Sequence, residues 1–426
     1  MAIDVLLVGS GGREHALAWK IAQSPRLRKL YIAPGNGGTR LHGENVPIPV
    51  TAIEKLAQFA QEKSIDLTVV GPDDPLALGI VDVFRARGLR VFGPSRAAAQ
   101  IEASKVFSKQ LMQEAGIPTA EFGIFKDYKT ALKYLREKGA PIVVKASGLA
   151  LGKGVYVCAS LSEAEEALRH IMVDRIFNDA GNEVVIEEFL TGPEISIHAL
   201  SDGKSFLMLP PSQDHKRALE NDEGKNTGGM GTIAPLSWVS PSALASLEEK
   251  VVKPTLDILA KMGEPFTGLL YPGLKMTPAG PKVLEFNARW GDPETQVYMR
   301  LLKTDMLSVF EACVDGTLSK QSLEWESGYA ANIVLASGGY PDAYEKGFPI
   351  TGIEEAQQIP GVAVFHAGTA YADGALKTSG GRVLGVSAVG QTLKETLQKA
   401  YQACAIIQFK GKFYRRDIGA KTSKDK

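Results

Sequence analysis

Four short apolar runs near the N-terminus each end at a glycine-bearing turn. Val5-Leu6-Leu7-Val8 stops at Gly9-Ser10-Gly11-Gly12, and Leu30-Tyr31-Ile32-Ala33 at Pro34-Gly35-Asn36-Gly37-Gly38. Leu67-Thr68-Val69-Val70 stops at Gly71-Pro72-Asp73, and residues 89–92 at Gly93-Pro94-Ser95. Helical patterns over 15–23, 52–63 and 76–87 separate these runs. Continuously apolar strands alternating with helices build a parallel sheet covered on both faces. The four turns then meet at the carboxyl edge of the sheet, where such folds hold ligands. At any one turn the alternative is that Gly and Pro only punctuate the chain.

The next stretch, 104–325, reads as α+β. Helices are expected over 106–114, 130–137, 163–172 and 241–261, and strands over 142–145, 154–158, 184–187, 194–200, 205–209, 266–276 and 282–287. Between them, 210–231 is polar, glycine-rich and longer than an ordinary loop, the mark of a functional or mobile segment. Residues 326–420 read as a smaller unit of short strands with one helix near 392–403, and 421–426 as a frayed end. The domains are therefore 1–103, 104–325 and 326–426. A chain of 426 residues, at about 150 per domain, fits that count.

Forty-eight basic residues balance 48 acidic ones, so no chain-wide positive field exists to hold nucleic acid or an anionic membrane. Three scattered cysteines argue against a disulfide framework and suit a reducing compartment. No apolar stretch reaches the roughly 18 residues of a membrane span. Met1-Ala2-Ile3-Asp4 leads straight into a strand, which speaks against a secretory signal.

Six segments could carry chemistry. Gly9-x-Gly11-x-x-Glu14 is a poor dinucleotide fingerprint, because Glu14 replaces the third glycine and Pro34 stands where an acid would hold a ribose. It still suits a phosphate at a helix start, or a purely structural turn. Lys145-Ala-Ser-Gly-Leu-Ala-Leu-Gly-Lys-Gly154 joins two strands without matching a P-loop; it could fold over a triphosphate or be a plain hairpin. The run from Val184 to Glu194 could be a linker whose backbone faces a base and whose Glu194 faces a ribose, or a strand ending in solvated acids.

The run Lys282-Val-Leu-Glu-Phe-Asn-Ala-Arg289 is the sharpest signal. Alternation along a strand sends Leu284 and Phe286 to the core and puts Glu285, Asn287 and Arg289 in one row. A carboxylate beside an amide oxygen suits Mg²⁺, and an arginine nearby suits a carboxylate. The alternative is a polar sheet face with a salt bridge. Finally, Ser212–Arg217 and Asn226–Gly231 bracket the long segment; the second could offer a nest of N–H groups to an anion, or both could be a surface excursion.

Together these blocks resemble the glycinamide ribonucleotide synthetase (phosphoribosylamine–glycine ligase) family of ATP-grasp enzymes. GSGGREHALAW at 9–19, APGNGGT at 33–39, GLALGKGV at 148–155, SQDHKR at 212–217, NTGGMG at 226–231 and EFNARWGDPETQ at 285–296 occur in family order, with HAGT at 366–369 and SGGRVL at 379–384 beyond. The resemblance implies an N-terminal doubly wound domain, a central ATP-grasp domain with a mobile flap over about 120–190, and a small C-terminal α+β domain. It implies a cytoplasmic ligase of de novo purine biosynthesis that joins glycine to 5-phosphoribosylamine at the expense of ATP, through glycyl phosphate. The enzyme would use one or two Mg²⁺ (or Mn²⁺) ions, take only small-molecule partners, and be a monomer or weak homodimer.

Residue by residue, the resemblance puts metal on Glu285 and Asn287. It puts ATP on Lys105, Lys145, Gly152, Lys153, Gly154, Glu187, Phe189, Leu190 and Glu194. It puts the other substrates on Gly11, Gly12, Asn36, Asp214, Asn226, Gly229, Met230, Arg289, Asp292, Glu294, Gly381 and Arg382. Arg289, Lys145 and Asp214 would be catalytic. Ser147, Pro193, Lys225, Trp290 and Thr232 depart from the usual family pattern. A different ATP-grasp ligase, one carboxylating an imidazole nucleotide, is the nearest rival.

Overall fold

The computed structural model describes residues 2–149 and 154–420; the sequence reading of Gly152, Lys153 and the 421–426 end lies outside them. The four apolar runs, with the short edge strand Glu44–Asn45, form a five-stranded parallel sheet in the spatial order Glu44–Asn45, Leu27–Pro34, Ile3–Gly9, Leu67–Val70, Val91–Phe92. The strand order reverses between Ile3–Gly9 and Leu67–Val70, the usual ligand crevice. Here Glu14 fills it. A Cβ on Gly9 would lie 2.3 Å from Glu14 Cγ, and one on Gly71 would lie 2.1 Å from its Oε1. The residue that spoiled the dinucleotide motif thus occupies the place a pyrophosphate would need. The helix expected over 76–87 is two, Asp73–Ala77 and Ile80–Ala86, because Gly79 between them is left-handed at φ 89°.

Two further sheets contribute residues to the main cleft. The first is antiparallel, in the order Phe122–Phe125, Val184–Glu188, Ile142–Ala146, Val155–Cys158, with helices Tyr128–Lys138 and Leu161–Met172 packed on it. The second is built on the long strand Thr267–Thr277, paired with Gly280–Asn287, Glu194–Ser196 and Ala199–Asp202. The single strand expected over 194–200 is therefore two. The helix expected over 241–261 is continuous but contains a π-helical turn at Glu248–Val252.

The segment 210–231 is not an unstructured excursion. Gln213–Asp214 pairs with Gly231–Ala234, and Arg217–Leu219 forms a hairpin with Glu223–Asn226. Gly231–Ala234 in turn pairs with Tyr329–Ala336, so the C-terminal sheet draws two strands from before residue 326. Helix Glu294–Leu301 is buried on nearly every side. Among the described residues no helix is long and apolar enough to cross a membrane, and the three cysteines are free and buried.

Candidate active site

One cleft of about 690 Å³ gathers side chains from all of these parts. Of the sequence candidates, Lys105, Lys145, Gly154, Glu187, Phe189, Leu190, Glu194, Asp214, Asn226, Glu285, Asn287, Arg289, Asp292, Glu294 and Arg382 line it. Gly11, Gly12, Asn36, Gly229, Met230 and Gly381 are not among its lining residues.

The basic floor rests on a buried acid. Lys109 Nζ lies 3.1 Å from one oxygen of Glu187 and Lys145 Nζ 2.9 Å from the other. Glu187 is thus a counter-ion for two lysines, and its carboxylate is not free for a nucleoside. Burial draws the Lys109 pKa down to about 8, against the pull of Glu187. Lys145 also donates to the Leu284 carbonyl at 3.1 Å. That carbonyl is available because Leu284 is a bulge: Val283 pairs with Leu274 and Glu285 with Gly273, leaving Leu284 unpaired. The bulge corrects the simple alternation. Leu284 lines the cleft, while Val283 and Phe286 pack in the core.

Beyond the bulge, Glu285, Asn287 and Arg289 all face the cleft. Lys216 places its ammonium 2.9 Å from Glu285 Oε1. Lys216 lowers the Glu285 pKa to about 2, overcoming burial, and Lys145 and Lys105 add to its effect. Asn287 Oδ1 accepts from Arg289 Nη2 at 3.2 Å. The same Nη2 lies 3.0 Å from Glu102 Oε1, and Nη1 donates to the Trp290 carbonyl at 3.3 Å. The guanidinium is therefore held by its terminal nitrogens, and its buried Nε has no protein partner among the described residues. Glu102 also accepts the Ala288 N–H at 2.7 Å. Burial raises its pKa to about 7, against Arg289.

A second acidic group centres on Glu294 and Asp214. Tyr271 donates to Glu294 Oε1 at 2.5 Å, and Ser196 to the same oxygen at 3.1 Å. Burial, then Glu294, pushes the Asp214 carboxyl well above its ordinary range. Gly229, at φ 110°, makes room for it: a Cβ there would lie 2.6 Å from Asp214 Oδ1 and 2.4 Å from Pro293. Arg382 Nη1 ties this region together by donating to the Gly228 carbonyl at 2.5 Å and the Asp292 carbonyl at 2.7 Å, and its Nη2 lies 3.3 Å from Asp292 Oδ2.

Several expectations are corrected by hydrogen-bond accounting. The helix start at Gly11-Gly12 faces the protein's own acids: Gly11 N–H donates to Glu14 at 2.5 Å, and a Cβ on Gly11 would lie 3.1 Å from Asp292 Oδ2. Asn36 spends its amide on the carbonyls of Ser10 and His366 and on the N–H groups of Gly38 and Thr39. No nest is open at 226–231. Thr227 N–H donates to the Lys216 carbonyl, Gly228 to Tyr340, Gly229 to Thr227 and Met230 to the His215 carbonyl. Met230 is fully buried, and Gly381 packs on the Tyr340 ring.

Three consecutive segments match the phosphoribosylglycinamide synthetase family: its N domain over residues 3–102, its ATP-grasp domain over 103–295 and its C domain over 330–421. The chain belongs to the phosphoribosylglycinamide synthetase family. It is similar to the phosphoribosylamine–glycine ligase of Caldanaerobacter subterraneus subsp. tengcongensis, 49% identical over 98% of this chain and 100% of that one. It is 49% identical to the Haemophilus influenzae ligase over 98% of each chain. The crystal structure of the Thermotoga maritima ligase superposes with a TM-score of 0.86 at 37% identity, over 97% of this chain and 100% of that one. A biotin carboxylase from Campylobacter jejuni, 13% identical over 97% of this chain and 93% of that one, has a TM-score of 0.75 and shares the fold.

Within this phosphoribosylglycinamide synthetase chain, two departures from the family pattern have structural accounts. Ser147 supplements the Ser104 N-cap of the helix Lys105–Glu114: its carbonyl accepts the Lys105 N–H at 2.8 Å and its hydroxyl accepts the Val106 N–H at 3.4 Å. Lys225 pairs with Asp342 at 2.8 Å on the surface. The sequence reading missed Lys216, Glu102, Lys109 and Tyr271. Lys216 was within reach, since it stands two residues from Asp214 in an extended stretch and shares its side. Glu102 lies on a short helix, Gln100–Ala103, with no local pattern to mark it.

Proposed function

We infer that the chain is an ADP-forming carbon–nitrogen ligase that joins glycine to 5-phosphoribosylamine and yields glycinamide ribonucleotide, the second step of de novo purine biosynthesis. The observation that carries this reading is a chain matched by all three domains of the family, in which Lys105, Lys145, Lys216, Glu285, Asn287 and Arg289 line one cleft. The adenine lies against Val157, Phe189 and Leu190, with the ribose at Glu194 and the phosphates over Lys105 and Lys145. The domains divide at 103 and 325, and the reaction runs in the cytoplasm on small molecules alone.

Glu285 and Asn287 suit Mg²⁺: one carboxylate and one amide oxygen leave most of an octahedral shell to phosphate and water. Among the described residues no cluster of three or more His, Cys, Asp or Glu offers a richer site. When bound, Mg²⁺ would neutralise phosphate charge that would otherwise repel the incoming carboxylate; Mn²⁺ suits the same kind of oxygen donors. Arg289 steadies the glycine carboxylate with donors not spent on Glu102, Asn287 and Trp290.

A carboxylate oxygen attacks the γ-phosphorus, the bond to ADP breaks, and glycyl phosphate forms. The amine of phosphoribosylamine, held near Asp214, Asn226, Asp292, Glu294 and Arg382, attacks the carbonyl carbon. The C–N bond forms, the C–O bond to phosphate breaks, and the displaced phosphate takes the amine proton. Lys105 and Lys145 supply fixed charge throughout, so no solvent reorganisation is needed as charge moves. The test is ADP release with Mg-ATP, glycine and phosphoribosylamine together. The expected result is release only when all three are present; release with bicarbonate and an aminoimidazole nucleotide instead would overturn the reading.

A further inference from the structure

The lysine that faces Glu285 is carried on a segment anchored from behind by the C-terminal residues. Around 213–217 the chain is extended, so successive side chains project to opposite sides. Lys216 reaches Glu285 at 2.9 Å. His215 turns the other way: its Nδ1 donates to the Gly231 carbonyl at 3.0 Å, and its Nε2 accepts the Gly419 N–H at 3.1 Å. Arg415, only 2% exposed, donates from Nη1 to the Arg217 carbonyl at 3.1 Å and to Asp222 at 2.9 Å. Its Nε and Nη2 make a two-pronged pair with Asp417, both bonds 2.8 Å. Asp417 in turn accepts the Asn221 N–H at 2.8 Å. The hairpin that begins one residue after Lys216 is therefore tied at its base and at its tip to residues 415–419.

We propose that residues 415–419 form a strap that positions the active site: Arg415 and the Gly419 N–H fix the 213–226 segment so that the Lys216 ammonium stands at Glu285. A lysine side chain is long and freely rotating, and it loses much of its rotamer freedom when fixed. Its placement therefore depends on a backbone held from behind. Arg415 touches neither substrate nor reacting atoms in this account, so it is a positioning residue. The proposal rests on the reading of Lys216 and Glu285 as part of the catalytic cleft, but its direct readout requires no turnover.

The test compares the full-length protein with Arg415→Met, Arg415→Lys and Asp222→Asn. Asn tolerates the left-handed backbone of Asp222, at φ 58°. Acylation of Lys216 by a lysine-directed reagent is followed by peptide mass spectrometry beside kcat and KM for ligation, with circular dichroism to establish folding. In Arg415→Met the expected results are acylation of Lys216 at least fivefold faster and kcat at least tenfold lower. Arg415→Lys should recover part of both changes, and Asp222→Asn should shift both about threefold in the same direction. Folded Arg415→Met with acylation within twofold of the starting protein overturns the strap, whatever happens to kcat. Faster acylation with unchanged kcat overturns it too. Should Arg415→Met fail to fold, Asp222→Asn decides by the same criteria. Faster acylation in the variants of a chain that never ligates glycine would uphold the strap's hold on Lys216 and sink the ligase reading instead.

Discussion

The ammonium of Lys145 lies 2.9 Å from Oε2 of Glu187, and both side chains are almost wholly withdrawn from solvent. Lys109 takes the other oxygen at 3.1 Å. A buried carboxylate shared by two ammonium groups is costly to remove, because both cations then lose their counter-charge. Glu187→Gln should destabilise the chain by about 3 kcal/mol, the usual penalty for breaking a buried ion pair. Urea midpoints of the two proteins measure this. A midpoint unchanged by the substitution would mean the pair is solvated in solution.

Arg289→Ala should lower turnover about 100-fold, in line with loss of one preorganised charge donor. Arg289 is also held by Glu102 at 3.0 Å, so its removal leaves that buried acid unpaired. Steady-state kinetics on the folded variant decide the matter: kcat within threefold of the starting enzyme would take Arg289 out of the mechanism.

Glu102 gives the pH prediction. Its carboxyl is raised from 4.5 to about 7 by burial, so between those values the folded chain keeps a proton that the unfolded chain has lost. Stability from this group is full below about pH 4.5 and falls as pH rises to 7. Glu102→Gln should flatten that part of the profile. Urea midpoints at pH 5 and pH 7.5 are the measurement, and an equal drop in both proteins would assign the slope elsewhere.

Glu285→Gln should raise the Mg²⁺ concentration needed for half-maximal rate severalfold, while the fold stays intact. Glu285 is ionised far below neutrality because Lys216 stands beside it, so the charge removed is a full one. A metal titration superimposable on that of the starting enzyme would move the ion to another part of the cleft.

The N-terminal sheet was legible because its strands are buried on both faces and end in glycine turns. Helix Met306–Val314 carried little signal, since apolar residues cover most of its surface. The hairpin Arg217–Leu219 with Glu223–Asn226 is charged and largely exposed, so no alternation announces it. At the site, residue types on one strand gave Glu285, Asn287 and Arg289. The bulge at Leu284 could not be read, because it depends on the register of the partner strand. Nor could the fate of Asn36 and of the Gly228 N–H, which are taken up by His366 and Tyr340, distant in sequence, or the crowding of Gly11 by Asp292.

The most direct measurement is the fate of oxygen from glycine labelled with ¹⁸O in both carboxylate positions. If the carboxylate attacks ATP and the amine then displaces phosphate, one labelled oxygen stays in the amide and the other leaves in inorganic phosphate. The account predicts one ¹⁸O per phosphate released, in step with ADP. Unlabelled phosphate accompanying glycinamide ribonucleotide would contradict it.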